Sequence, residues 1–116
     1  MRKCRVYYDE KYDRLMLASK SDSDIIAGSV RILNLVLELN TENKVVNAEL
    51  LNASDYLEML SINKGILKKA REGEISIQSL RNGYLIIFVL RTGKKVVSIP
   101  YNVHFPKARE ITVSSA

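Results

Sequence analysis

The chain contains one cysteine, Cys4, and one histidine, His104, and this scarcity argues against several chemistries. A lone cysteine cannot close an intramolecular disulfide, which suits a reducing cytoplasm. Metal sites need clustered His, Cys and carboxylate ligands, whereas these two residues lie a hundred positions apart. A catalytic serine or cysteine normally needs a neighbouring base, and every such scheme would recruit His104 from a β-like run. We therefore expect no metal, no cofactor and no enzymatic activity.

Long apolar runs and glycine-rich loops are also missing. The longest apolar stretch, residues 84–90, is far shorter than the ~20 residues of a membrane-spanning helix. The basic residues 1–5 lead into a strand-like segment without the apolar core of a signal peptide. Gly65, Gly73 and Gly83 stand singly, so no phosphate-binding loop is indicated. The sequence predicts a cytoplasmic protein without membrane contact.

Length and composition indicate one globular domain, and its charge is unevenly distributed. With 116 residues, of which 47% are hydrophobic and 27% charged, the chain fits one globular domain over residues 1–116. Its net charge of +5 is unevenly placed, because residues 1–60 carry −2 and residues 61–116 carry +7. Such asymmetry is typical of a half that meets an anionic partner, or of complementary faces that pair in an oligomer.

Short β-rich runs predict two hairpins in the first half. Residues 4–8 and 14–18 flank a polar connection of hairpin length, and a polar loop follows at residues 19–24. Residues 29–39 predict one long strand, and residues 44–51 predict the strand that returns beside it. The long strand is expected to bury one face through its row of leucines, Leu33, Leu35, Leu37 and Leu39.

A helical segment and a β-meander follow. Apolar spacing predicts one interrupted helix or two short ones over residues 53–72, weakened by Ser61 and Gly65. From Glu74 the apolar period becomes two, which predicts strands at 75–77, 84–90, 95–99 and 103–105. We thus predict an α+β domain, in which an antiparallel sheet of about six or seven strands packs on one helical segment.

A weak internal similarity links residues 35–50 to residues 86–101 at an offset of 51. Leu39 then aligns with Leu90, and Lys44-Val45-Val46 aligns with Lys95-Val96-Val97. Because β-branched residues after a short turn are common in meanders, coincidence is favoured over duplication.

The basic second half contains two clusters that could track phosphates. On a helix, Lys64, Lys68 and Arg71 would form one ridge, and a second cluster lies in one hairpin turn. The alternative is plain solvation, because a helix packed on its core exposes lysines and turns carry lysine for solubility. The predicted nucleic-acid-binding set comprises Lys64, Lys68, Lys69, Arg71, Arg91, Lys94 and Lys95.

A motif in the first half points to a family. Its parts are Tyr8-Asp9, Asp13-Arg14-Leu15 and, after a hairpin, Ala48-Glu49-Leu50-Leu51-Asn52-Ala53-Ser54. Through them the chain resembles the domain of unknown function numbered 2283 (DUF2283) over residues 4–58. The resemblance implies a small prokaryotic domain without an established activity, whose members often look like antitoxin-like proteins encoded beside small toxins. The basic helix and meander at 59–106 and a short tail at 107–116 lie beyond it.

The motif also has a mechanical interpretation that needs no chemistry. Asp9 and Asp13 can accept backbone N–H groups inside the first turn, while Tyr8 and Leu15 pack on the sheet. The motif residues, which we predict to be structural, are Tyr8, Asp9, Asp13, Leu15 and Glu49.

Two functions therefore stay open. The first is a non-catalytic interaction module that acts through a homo-oligomer or a partner protein, using an exposed sheet edge. The second is nucleic-acid binding by the basic second half, which predicts an affinity that falls steeply with salt.

Overall fold

Eight strands and two short helices succeed one another along residues 2–104, the part of the chain that this computed structural model describes. Strands account for 58% of these residues and helices for 11%. The predicted α+β class is therefore wrong, and the protein is mostly antiparallel β. The tail at 107–116 and the end of the predicted strand 103–105 lie outside the described residues. The elements are β1 (Arg2–Asp9), β2 (Arg14–Ala18), β3 (Ile26–Ile32), β4 (Leu35–Asn40), β5 (Val45–Leu51), α1 (Ala53–Met59), α2 (Ile66–Lys69), β6 (Glu72–Leu80), β7 (Gly83–Arg91) and β8 (Val96–His104).

The helical segment is short because the chain turns sharply within it. α1 begins at Ala53, as predicted, but it ends at Met59, and α2 has only four residues. Ser61, between the two helices, has a positive φ of 58°, which a right-handed helix cannot accommodate. β6 already begins at Glu72, so the chain returns to the sheet directly after α2.

A single antiparallel sheet contains all eight strands in the order β3-β4-β5-β2-β1-β6-β7-β8. Hairpin β1–β2 occupies its centre, with β5 paired to β2 on one side and β6 paired to β1 on the other. The predicted hairpins β1–β2 and β4–β5 and the meander β6–β7–β8 are confirmed. Strands β3 and β8 form the two edges.

The predicted single strand at 29–39 is wrong, because the chain reverses at Leu33 and Asn34 to form hairpin β3–β4. Leu33 has a positive φ of 54° and is 81% exposed, so the predicted leucine row is broken at its first member. Leu35 and Leu37 are buried as expected. Two-residue hairpin loops require positive φ, which sequence analysis normally infers from glycine or asparagine at that position.

The core lies on one face of the sheet, to which alternate side chains of the strands point. Leu15 and Leu50 are fully buried there, and the predicted core strand at 84–90 contributes Ile86, Phe88 and Leu90. The helices and the link after α2 cover this face with apolar side chains, namely Ala53, Leu57, Ile66, Leu67 and Ala70.

The sheet curls into an open half-barrel. Tyr101 of edge strand β8 donates its hydroxyl to Asn34 Oδ1 at 2.6 Å and lies 3.3 Å from the carbonyl oxygen of Ile32. Both acceptors belong to hairpin β3–β4 at the other edge. The centroid of the Tyr101 ring is 5.1 Å from that of Tyr56 in α1. Tyr101 therefore ties the two edges and the first helix together.

Hairpins β4–β5 and β7–β8 share the register that underlies the internal similarity. Leu35 pairs with Leu50, and Ile86 pairs with Tyr101, so the equivalent pairs keep the offset of 51. All four side chains are buried on the core face. The shared register ends before the turns, because Leu39 pairs with Val45 whereas Leu90 pairs with Val97.

Candidate nucleic-acid interface

The helical ridge predicted from Lys64, Lys68 and Arg71 does not form, because α2 contains only residues 66–69. Lys64 precedes the helix and pairs with Glu58 at 3.3 Å. Lys68 pairs with Glu10 at 2.8 Å. Arg71 follows the helix and donates to the carbonyl oxygens of Lys68 and Ala70. These residues therefore do not present one continuous row of free charge.

Four members of the predicted set nevertheless meet around one groove. Lys69, Arg71, Arg91 and Lys94 line a depression of about 420 Å³, which we call the hairpin groove. They come together because Glu72, just after the helical segment, pairs directly with Arg91 at the end of β7. Lys95 lies in the same β7–β8 turn but outside the lining of this groove.

A larger groove adjoins the first and adds cations from the other half of the chain. This sheet groove has a volume of about 820 Å³ and shares Glu72 and Arg91 with the hairpin groove. Its further cations are Lys3 and Arg5 of β1 and Lys20 of the loop after β2.

These cations were not predicted from the sequence, because they belong to the half with a net charge of −2. The alternation in β1 could have identified them. Cys4 and Val6 are buried, so the side chains of Lys3 and Arg5 point to the opposite face of the sheet. Their position opposite Glu74 and Glu72 follows from the β1–β6 register.

The two grooves concentrate positive charge. Seven different Lys or Arg residues and two carboxylates, Glu72 and Glu74, line them, which leaves a net charge of +5. Arg91 pairs with Glu74 at 2.9 Å. For the other six cations, no carboxylate oxygen of residues 2–104 lies within 4.0 Å. Of these six, Arg71 also donates to two backbone carbonyl oxygens, and the other five are free to meet an anion from solution.

Three half-buried residues of the family-like motif link hairpin β1–β2 to α1. Asp13 accepts the Tyr8 hydroxyl at 2.5 Å, the Ser54 hydroxyl at 2.7 Å and the Ser54 backbone N–H at 3.0 Å. The prediction that Asp13 accepts backbone N–H groups inside the first turn is therefore wrong, because the N–H group that it accepts belongs to Ser54. Partial burial and the bond to Asp13 raise the pKa of Tyr8 to about 12. Partial burial opposes ionisation of Asp13, but the bonds from Ser54 and Tyr8 outweigh it and lower its pKa.

The remaining motif residues also have packing or pairing roles. Asp9 Oδ1 accepts the backbone N–H groups of Lys11 and Tyr12, which confirms its predicted place in the turn. Leu15 is fully buried in the core. Glu49 pairs with Arg14 across β2 and β5 at 3.0 Å. None of these three side chains lines the hairpin groove or the sheet groove.

The two residues that could supply nucleophilic chemistry lie in different surroundings. His104 is exposed at the end of β8, opposite Gly83. Cys4 is buried in the centre of the sheet, and burial raises the pKa of its thiol. Among residues 2–104, no three His, Cys, Asp or Glu side chains come close enough together to hold a metal ion.

The fold and this surface define a β-rich protein whose basic grooves join the centre of the sheet to the β7–β8 turn. Comparisons of the chain with protein-family models, with curated proteins and with solved structures find no match. Neither helix in the described part of the chain has the length and apolar character needed to cross a membrane.

Proposed function

We propose that this protein is a non-catalytic binding protein that holds nucleic acid in the hairpin and sheet grooves. The observation that carries the proposal is the net charge of +5 on the two adjoining grooves, where six of seven cations lack an ion-pair partner among residues 2–104. Lysine and arginine side chains that neutralise phosphates release condensed counterions, and this release drives sequence-independent binding. The proposed location is the reducing cytoplasm, which suits the one free cysteine.

The positions of the cations in the fold support a polymeric rather than a compact ligand. Lys3 and Arg5 lie at the centre of the sheet, whereas Lys69 is the last residue of α2 and Lys94 lies in the β7–β8 turn. A chain of phosphates can contact such an extended series of positive charges one after another. Arg5 and Arg71 add planar guanidinium groups, which bind phosphate oxygens in pairs.

Fluorescence anisotropy with labelled oligonucleotides, measured at about 50 and 200 mM salt, tests the proposal directly. Six or more phosphate contacts would reduce the affinity about a thousandfold between these conditions. Lys69→Glu and Lys94→Glu should each lower the salt slope by about 1, because each removes one phosphate contact. Lys44→Glu, in the β4–β5 turn and beside Glu42, changes the net charge equally and should leave the binding almost unchanged. Absence of binding at low salt would contradict the proposal.

Edge strand β3 favours a second candidate function, the pairing of two copies of the chain. All seven residues of β3 are exposed or half-exposed, whereas the opposite edge strand contains Pro100, which lacks an N–H group. An antiparallel pair of β3 strands centred on Ser29 would place Gly28 opposite Val30. Arg31 is the one charged residue of β3, so this pairing brings no like charges directly opposite each other.

The oligomeric state in solution tests this second candidate. Sedimentation or light scattering should report a dimer that Val30→Lys dissociates, because a lysine at a strand edge blocks pairing. Asn102→Lys, exposed on β8, is the matched control and should leave the dimer intact. A wild-type monomer at high protein concentration would rule out β3 pairing, and a dimer that survives Val30→Lys would place the contact elsewhere.

The resemblance to DUF2283 over residues 4–58, and the antitoxin-like role that it implies, stay predictions. We propose a structural role for the motif residues, because Asp13 links α1 to the first hairpin and Leu15 lies in the core. The absence of catalysis is likewise part of the proposal, supported by the burial of Cys4 and the exposed position of His104.

A further inference from the structure

The basic surface extends past the hairpin groove to an exposed tyrosine. A third depression of about 350 Å³, which we call the helix groove, shares Arg71 with the hairpin groove. Tyr7, Lys68 and Glu10 also line it, and Lys68 is paired there with Glu10. Tyr7 is 61% exposed, although its neighbours Val6 and Tyr8 are buried or half-buried. One end of the basic surface therefore carries an open aromatic ring.

Tyr7 shares a strand face with two of the free cations. In β1 the side chains of Lys3, Arg5 and Tyr7 follow one another at every second position, which places them on the same side of the sheet. Arg5 pairs across the sheet with Glu72, a residue of both the sheet and hairpin grooves. The tyrosine thus adjoins the positive charge along the strand and across the helix groove.

We infer that the nucleic acid is single-stranded, with Tyr7 stacking on one base while Arg5 and Arg71 contact neighbouring phosphates. This inference rests on the proposed function and specifies its ligand. Surfaces that bind single strands combine a positive groove with an aromatic ring on which a base stacks. In a duplex each base is already stacked between its neighbours, so Tyr7 could reach a base only after it had been flipped out.

The test compares labelled oligothymidylate of about 12 nucleotides, a length within the usual single-strand sites, with two other probes. One is an abasic strand of equal length, which has the phosphates without the bases, and the other is a duplex. Wild-type protein should bind oligothymidylate at least about fivefold more tightly than the abasic strand, the gain expected from one stacked base. This comparison needs no variant and is independent of folding effects.

Variants then locate the stacking residue. Tyr7→Ala should weaken oligothymidylate binding at least about fivefold and leave abasic-strand binding unchanged, while Tyr7→Phe should retain the affinity. Tyr12→Ala is the matched control, because Tyr12 is 62% exposed but lies in the β1–β2 turn outside all three grooves.

The outcomes separate the inference from the proposed function. Equal, salt-sensitive binding of all three probes would overturn the single-strand inference and leave phosphate binding in place. Preference for the duplex, or insensitivity to Tyr7→Ala, would also overturn it. Equally tight binding of polyglutamate would also overturn the inference, because the grooves would then bind any polyanion without using bases. If no anion binds at low salt, the proposed function fails together with the inference.

Discussion

Asp24 connects three segments that are distant in sequence. Its carboxylate accepts the Ser21 backbone N–H at 2.8 Å and the Asn40 side-chain amide at 2.9 Å, and it pairs with Arg2 at 2.6 Å. Asn40 is the buried polar residue of the described core, and its Oδ1 also accepts the backbone N–H groups of Glu42 and Lys44. The loop after β2, predicted only as polar, is therefore fastened to β1 and to the β4–β5 turn.

Asp24 should remain ionised to unusually low pH. The Ser21 N–H and the Asn40 amide stabilise the carboxylate and lower its pKa to about 2. Because the pKa is lower in the folded state than in the unfolded chain, where it is about 3.9, this contribution to stability is complete above pH ~4 and is lost as the pH falls through about 2. A carboxyl NMR titration should give this midpoint, and Asn40→Ala should raise it.

A distant amide provides the control for that titration. Asn102→Ala, exposed on β8, should leave the Asp24 midpoint unchanged. A wild-type midpoint near the unfolded-chain value would contradict the bonding seen around Asp24.

At the scale of single elements, close strand packing depends on Gly73. Gly73 of β6 lies between β1 and β7, opposite Cys4 and Leu90. A Cβ atom added there would lie 2.3 Å from the Val89 carbonyl oxygen and 3.0 Å from a methyl carbon of Val6. The backbone of β7 cannot retreat without disturbing its own pairing with β8.

Gly73→Ala should therefore destabilise the fold by about 1–3 kcal/mol, the usual cost of overpacking. Urea denaturation measures this difference in the free energy of unfolding. Gly28→Ala is the matched control within a strand, because an added Cβ there meets no atom within 4 Å, and its effect should stay within about 0.5 kcal/mol. Equal stabilities of the two variants would contradict the close approach of the Val89 carbonyl oxygen to Gly73.

Sequence patterns were sufficient to locate several strands but not every turn or helix end. The strands around 4–8 and 14–18 were located by two short β-rich runs with a polar connection of hairpin length between them. The strand around 84–90 was located by its continuous apolar run, which is typical of a buried strand. The reversal at Leu33 was not predictable from apolar alternation. Leu33, Leu35 and Leu37 form one alternating row in the sequence, although Leu33 is exposed and has a positive φ. The alternative of two short helices is confirmed, with the break between Ser61 and Gly65 where the sequence predicted weakness. Their extent was overestimated, because α2 ends at Lys69 and β6 begins at Glu72.

At the scale of the whole molecule, the curl of the sheet depends on contacts between its edges. Tyr101→Phe removes the hydroxyl that bonds to Asn34 and leaves that amide oxygen without this partner. The variant should lose about 1–2 kcal/mol of unfolding free energy, as expected for a part-buried hydrogen bond. Backbone amides of β3 should exchange hydrogen faster, because the edge is then held mainly by β4.

Tyr12→Phe, which changes an exposed hydroxyl, should alter neither quantity. Unchanged exchange in β3 of the Tyr101→Phe protein would mean that the half-barrel is held by the core alone.

The sequence by itself determined hairpins β1–β2 and β4–β5 and the strand at 84–90, because these depend on short apolar or β-rich runs and on nearby turns. The sequence also identified the cations of the hairpin groove, but it did not show that they line one groove. Only the tertiary structure decided that Lys3 and Arg5 meet Arg91. These side chains come together only because β6 pairs with β1, about seventy residues away in the sequence. Such long-range pairing depends on how all eight strands bury one common face, and no local sequence pattern specifies it.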